Sequence, residues 1–216
     1  LSLPVGTVMA VGLAMLLNTG VRGMTVYRLI YYLPSLVPMV ASSILWIWIF
    51  NADFGILNYI LHLFGIQGPN WLGSTIWSKP AIIFMGFWGC GNAVVIYLAS
   101  LQEVPASLYE SADIDGASWY HKIWHVTLPM ISPIIFFNFI MGLIGSLQIF
   151  GTAYIMTGGG PLRSTLFYAM YLYDNAFRYL KMGYACSMAV ILFFIILALT
   201  FWFMKISKKH VHYMGQ

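Results

Sequence analysis

Residues 103–129, "EVPASLYESADIDGASWYHKIWHVTLP", hold four of the chain's six acidic side chains: Glu103, Glu110, Asp113 and Asp115. They sit between two uncharged apolar runs, Pro80–Gln102 and Ile123–Leu162. A bilayer core of about 30 Å takes roughly 20 apolar residues of helix to cross, and both runs are longer than that. The stretch therefore reads as a short polar excursion between two membrane crossings.

The rest of the chain follows the same pattern. Its 216 residues are 61% hydrophobic and only 7% charged, against about 25% charged in soluble domains. Two more interior runs, Leu29–Ala52 and Met182–Met204, lack charge, as does Leu1–Val21 at the start. In lipid each segment must satisfy its own backbone polar groups, and the alternation of a barrel strand is missing, so each run is expected to be a helix. The expected fold class is an all-α membrane protein, a polytopic bundle of five spanning helices. These are placed at about 1–18, 29–50, 80–101, 129–150 and 184–204.

Two stretches need separate treatment. Residues 54–78, "FGILNYILHLFGIQGPNWLGSTIWS", are uncharged, but Gly65 and Gly68-Pro69 leave a piece of about a dozen residues, too short to cross. An interfacial helix and loop is expected there, with Asn58 and His62 on one stripe. Pro34 and Pro38 fall inside the second run, where a membrane helix tolerates proline if neighbours re-satisfy the freed carbonyls. The opening "LSLPVGTVMAVGLAMLLN" has neither the basic flank nor the cleavage site of a signal peptide. It reads as a spanning helix entered part-way, with an N-terminal piece missing.

Cys90 and Cys186 lie in apolar runs, where a thiol is a small hydrophobe. The net charge of +4 is scattered around the apolar runs instead of forming a patch, so no nucleic-acid partner is expected. Arg22, Arg28, Lys122, Lys205, Lys208 and Lys209 gather on one side of the membrane, against four basic residues on the other. That bias makes their side, with 103–129 and the C-terminus, cytoplasmic.

Within 103–129, Pro105 suits a first helical turn and Glu103 its positive end. A helix through "SLYESADI" should stop where Asp115-Gly116 permits a left-handed turn. Ser118 should then cap a second short helix, "WYHKIWHV", which reaches the membrane at Leu128-Pro129. Two short helices meeting at a glycine are thus expected to project from the cytoplasmic face.

Glu110-Ser111-Ala112, Asp115-Gly116-Ala117 and, eight residues on, Val126-Thr127-Leu128-Pro129 resemble the "EAA" loop of binding-protein-dependent ABC importer permeases. Ser111 replaces the usual first Ala and Val126 the usual Ile. "NTGVRGMTVYRLIYYLPSLVP" at 18–38, "WLG" at 71–73, "TGGGP" at 157–161 and "MGYACSMAV" at 182–190 extend the likeness to the permeases serving maltose, glycerol phosphate and other sugars.

The resemblance implies a single transmembrane domain over 1–216, a type I importer core of six helices lacking its first, with a coupling loop at 103–129. It implies a bacterial or archaeal plasma (inner) membrane, a second permease subunit, two ATPase subunits and an extracytoplasmic solute-binding protein. The loop would dock in a cleft of the ATPase. There Glu110 would pair with a basic group, Asp115-Gly116 would form the bend, and Ala112 and Ala117 would allow close approach. On the residues alone, these acids read as a solvated helix face.

The chain has no G-x-x-x-x-G-K-[ST] loop, so ATP and Mg are expected on a partner, with no cofactor here and no covalent chemistry. The "GGG" at 158–160 is followed by Pro161 and reads as a tight external turn. His121 and His125 stand four apart, but lack a third ligand and the protease Glu, so no metal is expected. A neutral polyhydroxylated solute needs uncharged polar groups at mid-membrane, for which Asn92, Asn138, Gln148 and Tyr154 are the candidates. For each, an inter-helix hydrogen bond is the plainer role. Gly142 with Ser146, and Gly6 with Ala10, have the spacing of helix-packing pairs.

Two other classes would make different demands on the sequence. An ion-gradient-driven secondary transporter would carry ionisable residues inside its helices, and an intramembrane enzyme would carry a ligand set or paired carboxylates. Neither is present in the expected spanning helices.

Overall fold

The computed structural model describes residues 2–19 and 23–207. Arg22 and the "KKHVHYMGQ" end, on which the orientation partly rested, lie outside the described residues. Among the described residues the elements are helices joined by turns and loops, with no strand, and the chain forms two compact units.

The first unit comprises Leu1–Pro34, Cys90–Leu143 and Leu197–Gln216. Its core joins α1 (Ser2–Leu17) to α6 (Gly91–Gln102). Ala10 and Ala14 are buried on one stripe of α1, facing Val94, Tyr97, Leu98 and Leu101 of α6. Small residues at this spacing let helix backbones approach where lipid offers no hydrophobic driving force. The packing expected of Gly142 is also present, since a Cβ there would come within 2.7 Å of Leu3 Cδ2.

The second unit comprises Ser35–Gly89 and Ile144–Ile196. Trp46 and Phe50 of α3 (Met39–Ile49 and its last turn) pack with Ala81, Ile82 and Met85 of α5 (Ser78–Trp88). Ala153 and Met156 of α10 (Gly151–Thr157) and Met170 of α11 (Tyr168–Tyr173) complete that core. The short helix α4 (Ile56–Leu63) stands where the sequence placed a non-crossing piece. Asn58 ties its loop down by donating to the carbonyls of Ala52 (2.9 Å) and Pro69 (3.2 Å) and accepting from Trp71 Nε1 (2.7 Å).

Two expected spans are broken. The run at 29–50 divides into α2 (Met24–Tyr32), a 3₁₀ turn (Leu33–Leu36) and α3, parting at Val37-Pro38. Pro38 has no N–H to continue the ladder, and its own backbone is non-helical (φ −55°, ψ 139°) just before α3 begins. The run at 80–101 parts between α5 and α6 at Gly89-Cys90. Gly91 then lies so close to α2 that a Cβ would sit 2.3 Å from the Tyr31 carbonyl oxygen.

Only two helices are, each on its own, long and apolar enough to cross among the described residues, at Trp119–Leu147 and Met182–Ser207. The two broken runs qualify only as pairs, and α1 is a shorter apolar helix. Five apolar segments do fold as helices, yet five unbroken spanning helices is a simplification. Along α12 (Met182–Ser207), Val190, Ile191, Phe193, Phe194 and Phe201 are all exposed, a stripe suited to lipid.

Candidate functional site

The acidic segment is built from α7 (Ala106–Ile114), a tight turn and α8 (Trp119–Lys122). Pro105 is the extended residue before α7 and Glu103 ends α6, so neither occupies the first turn of α7 as expected. After Ile114 the N–H groups of Gly116 and Ala117 donate back to the Asp113 (3.0 Å) and Ala112 (2.9 Å) carbonyls. Gly116 has φ +72° with open space around it, so its requirement is one of backbone conformation and not of room.

The expected second short helix is not separate. α8 passes through a π-helical turn (Ile123–Thr127) into α9 (Leu128–Leu147), giving an unbroken rod from Trp119 to Leu147. Every residue in 123–127 keeps helical hydrogen bonding, so nothing interrupts the backbone before Pro129, which sits in the first turn of α9. Ser118 precedes the rod in extended conformation but makes no capping bond, its hydroxyl lying 2.8 Å from His121 Nδ1 instead. His121 and His125 stack at 5.8 Å, and His125 Nδ1 lies 3.1 Å from the His121 carbonyl oxygen.

Two contacts that sequence reasoning missed brace α7 against this rod. Lys122 pairs with Asp113, and the Tyr109 hydroxyl lies 2.9 Å from Thr127 Oγ1. The lysine could have been found, since it is the single basic residue among four carboxylates in 103–129. The tyrosine left no sequence signal.

Between α7 and α8 an open groove of about 490 Å³ is lined by Ala112, Asp115, Gly116, Ala117, Lys122 and Val126. Four of the five predicted docking residues thus meet on one surface. Glu110, the fifth, is exposed on α7 and forms no ion pair among the described residues. Ile114 is 88% exposed at the apex, and Trp119, Tyr120 and Trp124 are exposed along the rod. A bare Ile near the exposed carboxylates of Glu110 and Asp115 can offer a partner both apolar contact and charge.

The pathway candidates are distributed differently. Asn92 is exposed on α6 and Asn138 partly buried on α9, both in the first unit. Asn138 Nδ2 donates 3.1 Å to the Ile134 carbonyl of its own helix. Gln148 is exposed just past α9, in the second unit. Tyr154, also in that unit and 39% exposed, joins an aromatic group with Phe150 (5.3 Å) and Tyr173 (5.7 Å). Ring faces of this kind can stack on a sugar.

Comparisons with known proteins fit this architecture. The family model for the "binding-protein-dependent transport system inner membrane component" matches residues 2–213. The chain is similar to a probable ABC transporter permease protein, YesP, of Bacillus subtilis, with 38% identity over 94% of this chain and 67% of the relative. It is also similar to the sulfoquinovosyl glycerol transport system permease protein SmoG of Agrobacterium fabrum, with 33% identity over 96% and 68%. A solved bacterial alginate ABC transporter, in complex with its alginate pentasaccharide-bound periplasmic protein, shares the fold. The TM-score is 0.87 at 24% identity, over 96% of this chain and 74% of that one. These matches lend no support to an ion-gradient-driven carrier. With the family model covering nearly its whole length, this chain belongs to the inner-membrane components of binding-protein-dependent transport systems, as a permease subunit of an ABC importer.

Proposed function

We propose that this permease subunit takes a saccharide or related solute through the membrane by alternating access, driven by ATP hydrolysed on a separate subunit. The observation that carries the reading is the braced rod. α7 is pinned by Asp113–Lys122 and Tyr109–Thr127 to a helix that runs without a break from Trp119 to Leu147. A force applied to the groove would therefore move the foot of an apolar helix as a body, which is how packed elements transmit switching motions.

On this reading 1–216 forms one transmembrane domain. The docking surface is Glu110, Ala112, Asp115, Gly116 and Ala117, and ATP with Mg sits in two partner ATPases. A second permease and an extracytoplasmic solute-binding protein complete the assembly, with the docking segment and C-terminus in the cytoplasm. The sugar-type relatives and the periplasmic protein in the alginate complex support the solute class and the last partner. This reading assigns Asn92, Asn138, Gln148 and Tyr154 to the pathway, and the aromatic group around Tyr154 supports its share.

The test is Glu110→Lys in the co-purified complex, reconstituted in proteoliposomes with its binding protein. ATP-dependent uptake should collapse while the chain still inserts and assembles with the second permease. Uptake at the wild-type rate would remove Glu110 from the docking role.

A further inference from the structure

The segment after α9 contains a second polar site that the docking reading does not use. Within the second unit, a cleft of about 250 Å³ is lined by Gly159, Arg163, Tyr171, Asp174, Arg178 and Tyr179, among others. Its floor is firmly built. α10 ends at Gly158 and Gly159, with φ of +58° and +86°, and a Cβ on Gly159 would press on Met170 Cε at 3.2 Å. The Thr165 side chain, fully buried, lies 2.6 Å from Thr157 Oγ1 and donates 2.7 Å to the Gly160 carbonyl. This network holds Leu162 and Arg163 in the left-handed region (φ +46° and +60°), which such residues rarely adopt.

The charges in the cleft do not balance. Asp174, almost fully buried in the π-helical turn Asp174–Arg178, faces Arg178 at 3.3 Å, and the Arg178 side chain is still 58% exposed. Arg163 is exposed and forms no ion pair among the described residues. Two guanidinium groups thus line the cleft with one carboxylate, and only Arg178 is paired to it. A net positive cleft flanked by two tyrosines is poorly matched to a neutral sugar, which needs no counter-charge. It is well matched to an oxyanion, because guanidinium groups bind carboxylate, sulfonate and phosphate through paired N–H donors. Tyr171 and Tyr179 add hydroxyls and ring faces for the sugar that carries the group.

We propose that this cleft receives one anionic group, a carboxylate, sulfonate or phosphate, borne by a saccharide-type solute. Its small volume suits a single charged unit. The inference deepens the importer reading and rests on it for the solute class.

The test uses the co-purified importer complex in nanodiscs and saturation-transfer NMR, with glucuronate, glucose and inorganic sulfate as probes. Glucuronate should give signal, weakened by salt and competed by sulfate, and glucose should bind at least about tenfold more weakly. Arg163→Gln should lower glucuronate affinity by about tenfold, with Arg163→Lys intermediate and Lys79→Gln unchanged. Should Arg163→Gln fail to assemble, Arg178→Gln takes its place with the same expectation. Equal binding of glucose and glucuronate, or no effect of either Gln substitution, would overturn the proposal. So would a Gln variant that loosens the solute-binding protein with no saccharide signal in wild type, which would assign the cleft to a carboxylate of that protein. Binding-protein-stimulated ATP hydrolysis in the same nanodiscs reads the importer function independently. If the wild type lacked it, the importer reading would fail, whatever the NMR gave.

Discussion

The Tyr109 hydroxyl lies 2.9 Å from Thr127 Oγ1, joining the first helix of the acidic segment to a threonine that is only 6% exposed at the foot of α9. Thr127 Oγ1 also lies 3.3 Å from the Lys122 carbonyl oxygen, so it keeps a partner if the tyrosine hydroxyl is lost. Tyr109→Phe should therefore cost only about 1 kcal/mol of stability. ATP-dependent uptake should fall roughly two- to fivefold at unchanged membrane abundance, because α7 loses a brace to the rod. Wild-type uptake in this variant would show that the bond is not on the transmission route.

Asp113 and Lys122 supply the second brace, with side chains 63% and 22% exposed. At that exposure solvent screening keeps the pair to about 0.2–1 kcal/mol. Asp113→Lys or Lys122→Asp alone should lower both uptake and thermal midpoint modestly by setting like charges together. The double exchange should recover most of the loss at low salt. A double variant as impaired as the worse single one would mean that the pair does not hold the helices together.

Gly116 tests the bend. No atom lies within 4 Å of a Cβ built there, so Gly116→Ala introduces no clash and leaves only the left-handed penalty of about 1–2 kcal/mol. Gly116→Asn should cost less, since asparagine tolerates that region. Association of the purified permease with its ATPase partner, measured by interferometry, should rank glycine, asparagine, alanine. Equal affinity across the three would indicate that the turn can be made another way.

Two helix glycines should behave oppositely. A Cβ on Gly91 would sit 2.3 Å from the Tyr31 carbonyl oxygen, whereas Gly86 in α5 has nothing within 4 Å. Gly91→Ala should destabilise the chain by about 1–3 kcal/mol or more through overpacking. Gly86→Ala should be neutral or stabilising by up to about 1 kcal/mol, because alanine loses less backbone entropy in a helix. Thermal unfolding in matched detergent would separate them, and similar midpoints would refute the close α2–α6 approach.

The apolar runs and the compact acidic segment were decided by residue chemistry alone. Uncharged stretches of this length must be helical in lipid, and Asp115-Gly116 supplies a left-handed stop wherever the chain goes next. That reasoning is local, and it placed α7, its turn and the helices at α9 and α12. It failed where partners far along the chain intervene. Hydrophobicity could not show that Pro38 and Gly89 part their runs, because proline and glycine within membrane helices are tolerated or disruptive according to what packs beside them. Gly91 is a case in point, since its lack of a side chain matters only because Tyr31 comes to rest against it. The Tyr109–Thr127 bond, and Arg163 having no ion pair among the described residues, are likewise matters of approach in space. Hydrogen bonding and charge balance depend on distances of a few ångströms between residues, and only the folded chain sets those distances.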